Sequence, residues 1–126
     1  MDHKAEYDPI NNILFLEYFG RPSTLEDVDF IIDKNEEEYF KISKKPWVIV
    51  DISGISITSP NIIKYYAQKS HASLSKHAIA GFSFTSKSLQ RVMTQIYNTA
   101  TGQKLKFFKT KEETIEHVLE LQRETK

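Results

Sequence analysis

Hydroxyl groups crowd the stretch that follows a short apolar run in the middle of the chain, "WVIVDISGISITSPNIIKYY". Asp51 and Ser53 would lie beyond the carboxyl end of a strand, where open α/β sheets bind ligands. A hydrolase that uses these two residues and the histidines is therefore one hypothesis. However, the glycines form neither G-x-G-x-x-G nor a phosphate loop, and no serine lies in a G-x-S-x-G elbow. We predict no catalytic residue and no enzyme, and the hydrolase ranks third among the alternatives.

Ser59 stands at the end of this stretch and is followed by Pro60. The pair predicts a helix start, because serine caps free N–H groups and proline fits the first helical position. A phosphate on Ser59 would meet the N–H groups and the positive dipole end of that helix, both of which favour an anion. It would add about −1.5 to −2 charge and change the desolvation cost for a partner on this surface. Two interpretations stay open, a plain N-cap and a phosphorylated switch.

The residues around Ser59 form the predicted partner or ligand surface. Its members are Asp51, Ser53, Gly54, Thr58, Asn61, Tyr65 and Tyr66. Adjacent helical residues point about 100° apart, so we expect one of the two tyrosine rings to pack in the core and the other to be partly exposed.

Metal and cofactor chemistry finds little support in the sequence. The chain has no cysteine, so a disulfide, a thiol nucleophile and a thiolate metal site are all excluded. The four histidines are scattered, and no two have the i, i+4 spacing of a helical zinc pair. We therefore predict no metal site and no cofactor.

Strand and helix patterns alternate along the chain, and these elements would position the hydroxyl-rich stretch that follows "WVIV". Turn residues in "DPINN" predict an antiparallel hairpin, and Ser23 with Glu26 or Thr24 with Asp27 would cap a first helix. "WVIV" has the pattern of a central strand buried on both faces. The later predicted elements are a helix from Pro60 to about Ser70, a strand in "HAIAGFSF", a helix in "LQRVMTQIY", a strand in "KLKFF", and a helix capped by Thr110 with Glu113. The order ββαβαβαβα predicts an α/β fold, a mixed and mostly parallel sheet of about five strands with about four helices.

Length and composition exclude several classes of protein. With 126 residues and no long linker, we expect one domain over residues 1–126. The 17 basic and 17 acidic residues cancel, which argues against a nucleic-acid partner. The first residues, "MDHKAEYDPI", lack the pattern of a signal peptide, and no apolar run approaches the roughly 20 residues of a membrane span. We expect a cytoplasmic protein with no membrane partner.

This element order resembles the STAS domain (sulphate transporter and anti-sigma factor antagonist), also seen in SpoIIAA-like proteins. The likeness is sharpest in "VDISGISITSPNII", where Asp51, Ser53 and Gly54 match the Asp-x-Ser-Gly loop of the family and Ser59 matches its regulatory serine. The resemblance implies a SpoIIAA-like fold. It also implies that a partner kinase phosphorylates the serine and thereby changes which regulatory protein the domain binds.

The same stretch departs from the family pattern at three positions. Thr58 stands where an aspartate usually precedes the serine, and Pro60 and Asn61 stand where a small residue and a glycine usually follow. The tail, "GQKLKFFKTKEETIEHVLELQ", resembles a divergent bacterial subgroup with a similar fold.

The leading functional hypothesis is a non-catalytic regulatory domain that binds a protein partner, a regulator or a kinase, and is switched at Ser59. The alternative is a carrier that holds a small molecule or lipid in an apolar pocket between sheet and helices. Phe82, Phe84, Phe107 and Phe108 motivate the carrier, although plain core packing explains them as well. An exposed edge strand would also permit a homodimer.

Overall fold

The structure, a computed structural model, describes residues 2–56, 58–87, 95–96, 98–99, 102 and 108–125. Within these residues there are four strands and three helices. Their bounds are β1 (Asp2–Asp8), β2 (Ile13–Phe19), α1 (Leu25–Phe40), β3 (Trp47–Asp51), α2 (Pro60–His77), β4 (Ala80–Phe84) and α3 (Lys111–Glu124). The helix predicted in "LQRVMTQIY" and the strand predicted in "KLKFF" lie largely outside the described residues.

The sheet has the order β1-β2-β3-β4, with β1 antiparallel to β2 and the other neighbours parallel. The predicted mixed sheet and the antiparallel hairpin are confirmed. Phe108, just before α3, makes a parallel bridge with Phe84 of β4, which places the end of "KLKFF" beside β4. The β-branched side chains of β3 are buried, with Val48 and Ile49 at 0% exposure, because helices cover both faces of this central strand.

Alternating side chains divide the core between the two faces of the sheet. On one face, Leu14, Leu16 and Tyr18 of β2 pack with Ile31 and Tyr39 of α1. The other face carries a second cluster, consisting of Ile13, Trp47, Ile49, Phe84, Phe108 and Val118. The period-2 pattern of the strands therefore places α1 and α2 over one face and α3 over the other.

The first helix begins where one of the two predicted caps places it. Thr24 is the N-cap, its hydroxyl accepts from the Asp27 N–H, and the Asp27 carboxylate accepts from the Thr24 N–H. Ser23 precedes the cap, and its N–H also donates to the Asp27 carboxylate, at 2.8 Å. Leu25, the first residue of this helix, is exposed, whereas Asn35 is buried.

The end of α2 differs from the prediction. The helix continues beyond Ser70 to His77, so the strand predicted in "HAIAGFSF" begins only at Ala80. Ser70 and Ser73 are buried, and the Ser73 hydroxyl bonds the Glu36 carboxylate at 3.2 Å. The extra turns of α2 therefore contact α1 through Ser73. Within the described part of the chain, no helix is both long and apolar enough to span a membrane.

Candidate functional site

The loop between β3 and α2, called the hydroxyl loop (residues 52–59, with 57 outside the described residues), begins in a turn closed by Asp51. The Asp51 carboxylate accepts from the Ser53 N–H at 2.9 Å. The Ser53 hydroxyl in turn accepts from the Ser86 N–H at 3.3 Å and lies 3.5 Å from the hydroxyl of Thr85. These bonds tie the hydroxyl loop to the segment after β4, so Asp51 and Ser53 act here as loop organisers.

Gly54 lies where the hydroxyl loop passes close to the end of β2. A Cβ on Gly54 would come within 2.6 Å of the Tyr18 carbonyl oxygen and 2.8 Å of a ring carbon of Phe19. The Gly20 N–H donates to the Gly54 carbonyl at 3.1 Å, and the Ser56 N–H donates to the Gly20 carbonyl at 2.9 Å. Glycine is therefore required at this position for the backbones to approach.

Two isoleucines hold the hydroxyl loop down on the sheet. Ile52 and Ile55 are buried and belong to the cluster on the α1 and α2 side. The Ile52 N–H also donates to the Phe84 carbonyl at 3.1 Å. Apolar residues that alternate with the hydroxyl residues thus direct the polar side chains away from the core.

Ser59 is exposed and caps α2, as predicted. It has extended backbone angles (φ −65°, ψ 150°), and its hydroxyl accepts from the Ile62 N–H over a long 3.4 Å. Pro60 is the first helical residue. Asn61 is exposed and Thr58 is half-buried, so two of the predicted surface residues lie beside Ser59 at the start of α2.

The two tyrosines are both half-buried and both pack against one core cluster, but their other contacts differ. The Tyr65 hydroxyl donates to the Asp29 carboxylate of α1 at 2.7 Å, and this bond is the main reason that the pKa of Tyr65 is raised. Lys69 lies over the same ring, with its Nζ 5.6 Å from the centroid. Tyr66 packs against the core, and desolvation raises its pKa. Tyr65 therefore borders the surface around Ser59, whereas the Tyr66 ring points inward.

A buried polar network lies beneath Tyr66. The hydroxyl of Tyr18, which is fully buried, donates to the Asn35 amide oxygen at 2.7 Å, and the His3 ring bonds the same oxygen at 3.2 Å. Desolvation is the main reason that the pKa of Tyr18 is raised well above its ordinary value. Because buried polar groups require partners, this network keeps α1, β1 and β2 in one arrangement beneath α2.

A pocket lies on the opposite face of the sheet, and its lining is partly charged, whereas the carrier hypothesis expected an apolar one. Its volume is about 370 Å³, and it is lined by Lys4, Ala5, Glu6, Phe15, Leu16, Glu17, Ile49, Asp51, Phe84 and Lys111. The Lys111 Nζ lies 4.4 Å from the Phe15 ring centroid. Period-2 alternation in β1 and β2 is the signal that groups Lys4 and Glu6 with Phe15 and Glu17 on one face, but only the register brings Asp51 beside Glu17.

Comparisons with solved structures identify the fold. SpoIIAA, an anti-sigma factor antagonist in its unphosphorylated form, aligns over 93% of this chain and 96% of its own, with 15% identity and a TM-score of 0.63. An uncharacterised protein of the DUF3478 family from Shewanella loihica, described as having a SpoIIAA-like fold, aligns over 93% and 92%, with 18% identity and a TM-score of 0.62. SLC26A9 aligns over 90% of this chain but 21% of its own, with 15% identity and a TM-score of 0.61.

No family model matches the chain, and neither does any curated protein. At these identities the likeness concerns the fold, which is STAS-like and SpoIIAA-like as predicted.

Proposed function

We propose that this chain is a non-catalytic regulatory domain that binds a protein partner through the start of α2 and the hydroxyl loop, and that phosphorylation of Ser59 controls this binding. The observation that carries the proposal is the exposed Ser59 hydroxyl at the N-terminus of a long helix. The likeness in fold to an anti-sigma factor antagonist described as unphosphorylated supports a regulatory role.

The local charge around Ser59 suits an added phosphate. α2 has no acidic residue in its first turn, whereas α1 has Glu26 and Asp27 there and α3 has Glu112 and Glu113. The present bond from Ile62 to the Ser59 hydroxyl is long, at 3.4 Å. A phosphate would accept from the N–H groups of the first turn more strongly, because charge-assisted bonds are shorter and the helix dipole favours an anion.

Phosphorylation would act on the surface more than on the fold. Asn61 and Ser59 are exposed and Tyr65 is half-buried, so the added charge of about −2 would be placed in the middle of a docking surface. A partner that covers this surface would have to desolvate the dianion or pair it with cationic groups. Partner choice would therefore change while the core below stays the same.

The experiment uses four baits for affinity capture: the wild type, Ser59→Ala, Ser59→Glu and Ser75→Glu. Ser75 is the matched control, because it is exposed on the same helix and near its other end. We expect at least one partner to be kept by the wild type and Ser75→Glu and lost by Ser59→Glu. Mass spectrometry of the chain from its native source would, in parallel, be expected to detect phosphate on the peptide that contains Ser59.

Identical partners for Ser59→Glu and the wild type would refute the switch. Partners lost equally from both glutamate variants would indicate a general charge effect. In either case Ser59 would be an N-cap, and the search would move to the pocket.

The second candidate function is a carrier for a small molecule, and the 370 Å³ pocket favours it. The size falls within the range of about 300–1,000 Å³ that is typical of ligand sites. Phe15, Ile49 and Phe84 form its apolar part, while Lys4, Glu6, Glu17, Asp51 and Lys111 bring charge. This lining suits a small amphiphilic molecule better than a bare lipid chain. Of the phenylalanines that motivated the carrier, Phe82 and Phe108 pack edge to face in the core, and Phe107 lies outside the described residues.

Native mass spectrometry of gently purified protein tests the carrier. A reproducible co-purified mass, lost in Lys111→Ala and kept in Lys109→Ala, would support it, because both lysines are exposed near the start of α3 but only Lys111 lines the pocket. A chain mass without any adduct would argue against the carrier.

The proposal also includes the expected domain number, cellular location and oligomeric state. We propose that residues 1–126 form one cytoplasmic domain, and the likeness over 93% of the chain to a structure of similar length supports the single domain. A homodimer would use β1, which forms one edge of the described sheet. The charges of Asp2, Lys4 and Glu6 along that strand oppose unspecific edge pairing, so the homodimer stays a prediction.

A further inference from the structure

Large apolar side chains protrude at the end of the sheet opposite the hydroxyl loop. Phe40, at the end of α1, is 73% exposed, and Ile79, just after α2, is 52% exposed. The Phe40 ring packs edge to face on the His77 ring at a centroid distance of 5.3 Å, and the Ile79 N–H donates to the Pro46 carbonyl at 2.9 Å. These contacts hold the ends of α1 and α2 and the segment before β3 side by side.

The turn between β1 and β2 belongs to the same end. The Asn12 side chain donates to the Lys45 carbonyl at 2.9 Å, and the Trp47 N–H donates to the Asn12 carbonyl at 2.9 Å. Ile10, in this turn, is 90% exposed. Three of the five large apolar side chains that are exposed among the described residues thus lie at one end of the sheet.

Lysines surround the protruding side chains. Lys41, Lys44, Lys45 and Lys76 are exposed. The carboxylates nearby are occupied in part, since Glu38 pairs with Lys41 at 3.0 Å and Glu36 with His77 at 3.3 Å. Within the described residues no ion pair involves Lys44, Lys45 or Lys76, so no direct carboxylate contact neutralises these three lysines, although Asp8 also lies at this end and accepts from the Ile10 N–H at 3.0 Å.

We propose that this lysine-rich end, defined as Ile10, Phe40, Lys41, Lys44, Lys45, Lys76 and Ile79, binds the surface of an anionic lipid bilayer. Its apolar side chains protrude rather than line a groove, which suits insertion between headgroups. The lysines would pair with lipid phosphates and carboxylates while their stems lie along the apolar groups. This contact is peripheral, and it would replace the sequence-based expectation that the chain has no membrane partner.

The lysine-rich end is remote from Ser59. α2 runs from Pro60 to His77, and at 1.5 Å per residue its ends are about 27 Å apart. Several Debye lengths separate the two, since the Debye length is about 8 Å at physiological salt. The lysine-rich end would hold the domain on the bilayer with the start of α2 directed away from the lipid, and the inference does not depend on the switch at Ser59.

Co-sedimentation of the purified chain with vesicles tests the proposal, using phosphatidylcholine with and without phosphatidylserine. We expect binding to the anionic vesicles, weakened by added salt, and little binding to the neutral ones. Lys44→Glu/Lys45→Glu should lower the apparent affinity by about 25-fold or more, because each lysine near an anionic surface contributes about fivefold. Phe40→Ser should lower it by about tenfold.

The matched control is Lys64→Glu/Lys87→Glu, which makes the same charge change at exposed positions near the hydroxyl loop. It should keep its affinity within about threefold of the wild type, and all variants should retain wild-type circular dichroism and thermal midpoints. Equal losses in the two double variants, or equal binding to neutral and anionic vesicles, would overturn the proposal. No sedimentation with any vesicle would also overturn it and would leave an acidic protein surface as the partner of the lysine-rich end.

Discussion

Gly54→Ala should destabilise the chain by about 2–3 kcal/mol, because the new methyl group has no room. Its Cβ would lie 2.6 Å from the Tyr18 carbonyl oxygen and 2.8 Å from the Phe19 ring, whereas ordinary contacts begin at 3.4 Å. Backbone lies on both sides of the closer contact, so the hydroxyl loop or β2 must shift by several tenths of an ångström. Overpacking of this kind costs about 1–3 kcal/mol. The two hydrogen bonds between Gly20 and the hydroxyl loop would be strained and add to the loss, at about 1 kcal/mol each if broken.

Urea unfolding followed by circular dichroism measures this loss, with Gly81→Ala as the matched comparison. A Cβ at Gly81 would come within 2.9 Å of Leu74 Cδ1, the flexible end of a side chain, so we expect a cost below about 1 kcal/mol. The thermal midpoint should fall by about 10 °C for Gly54→Ala, and the m-value should stay unchanged. Equal losses for the two variants, or a loss below about 0.5 kcal/mol for Gly54→Ala, would refute the close approach of the hydroxyl loop to β2.

Three further predictions concern caps and pH. In urea unfolding, Ser59→Ala should cost about 0.5–1 kcal/mol and Thr24→Ala about 1–2 kcal/mol, because the cap bond is 3.4 Å at Ser59 and 3.1 Å at Thr24; the reverse order would contradict this. The raised pKa of Tyr18 means that its contribution is present below about pH 10 and is lost as pH rises beyond it. Tyr18→Phe should therefore lower the free energy of unfolding by about 1–2 kcal/mol near neutral pH and lose less stability than the wild type at alkaline pH. If stability falls equally with alkaline pH in both proteins, Tyr18 is not the group responsible. Backbone N–H groups lower the pKa of Asp27, so its contribution is present above pH 3.8 and is lost in acid. Asp27→Asn should destabilise the chain at neutral pH but not in strong acid, and a loss that persists in acid would contradict this account.

Local patterns in the sequence predicted much of the fold. The turn residues of "DPINN" predicted the hairpin, the apolar "WVIV" predicted a central strand, and the pair Ser59 and Pro60 predicted the start of α2. Each of these signals is local, because a turn, a cap or a strand pattern depends on residues a few positions apart. The fold itself also followed from the order of the elements, which agrees with the SpoIIAA-like structures.

Tertiary contacts decided the features that the sequence did not predict. The predicted end of α2 was wrong. Ser73 and His77 are residue types that usually face solvent, but in the structure both contact Glu36 of α1. The exposure of Leu25 likewise depends on where α1 packs. The separation of Tyr65 from Tyr66 was expected from helical geometry, but only the position of Asp29 determined which ring borders the surface.

For the candidate site, the sequence alone determined which groups can do chemistry: a serine at a helix start and a carboxylate at a strand end. It did not determine which of these groups meet. The register of β1, β2 and β3 places Lys4, Glu17 and Asp51 around one pocket. Chain connections place Phe40 beside His77 and Ile79 beside Pro46, although these pairs are separated by 30 or more positions in the sequence. The physical reason is that local propensity acts over one or two turns of chain, whereas a binding surface is built by packing between residues that are distant in sequence and adjacent only after the core has formed.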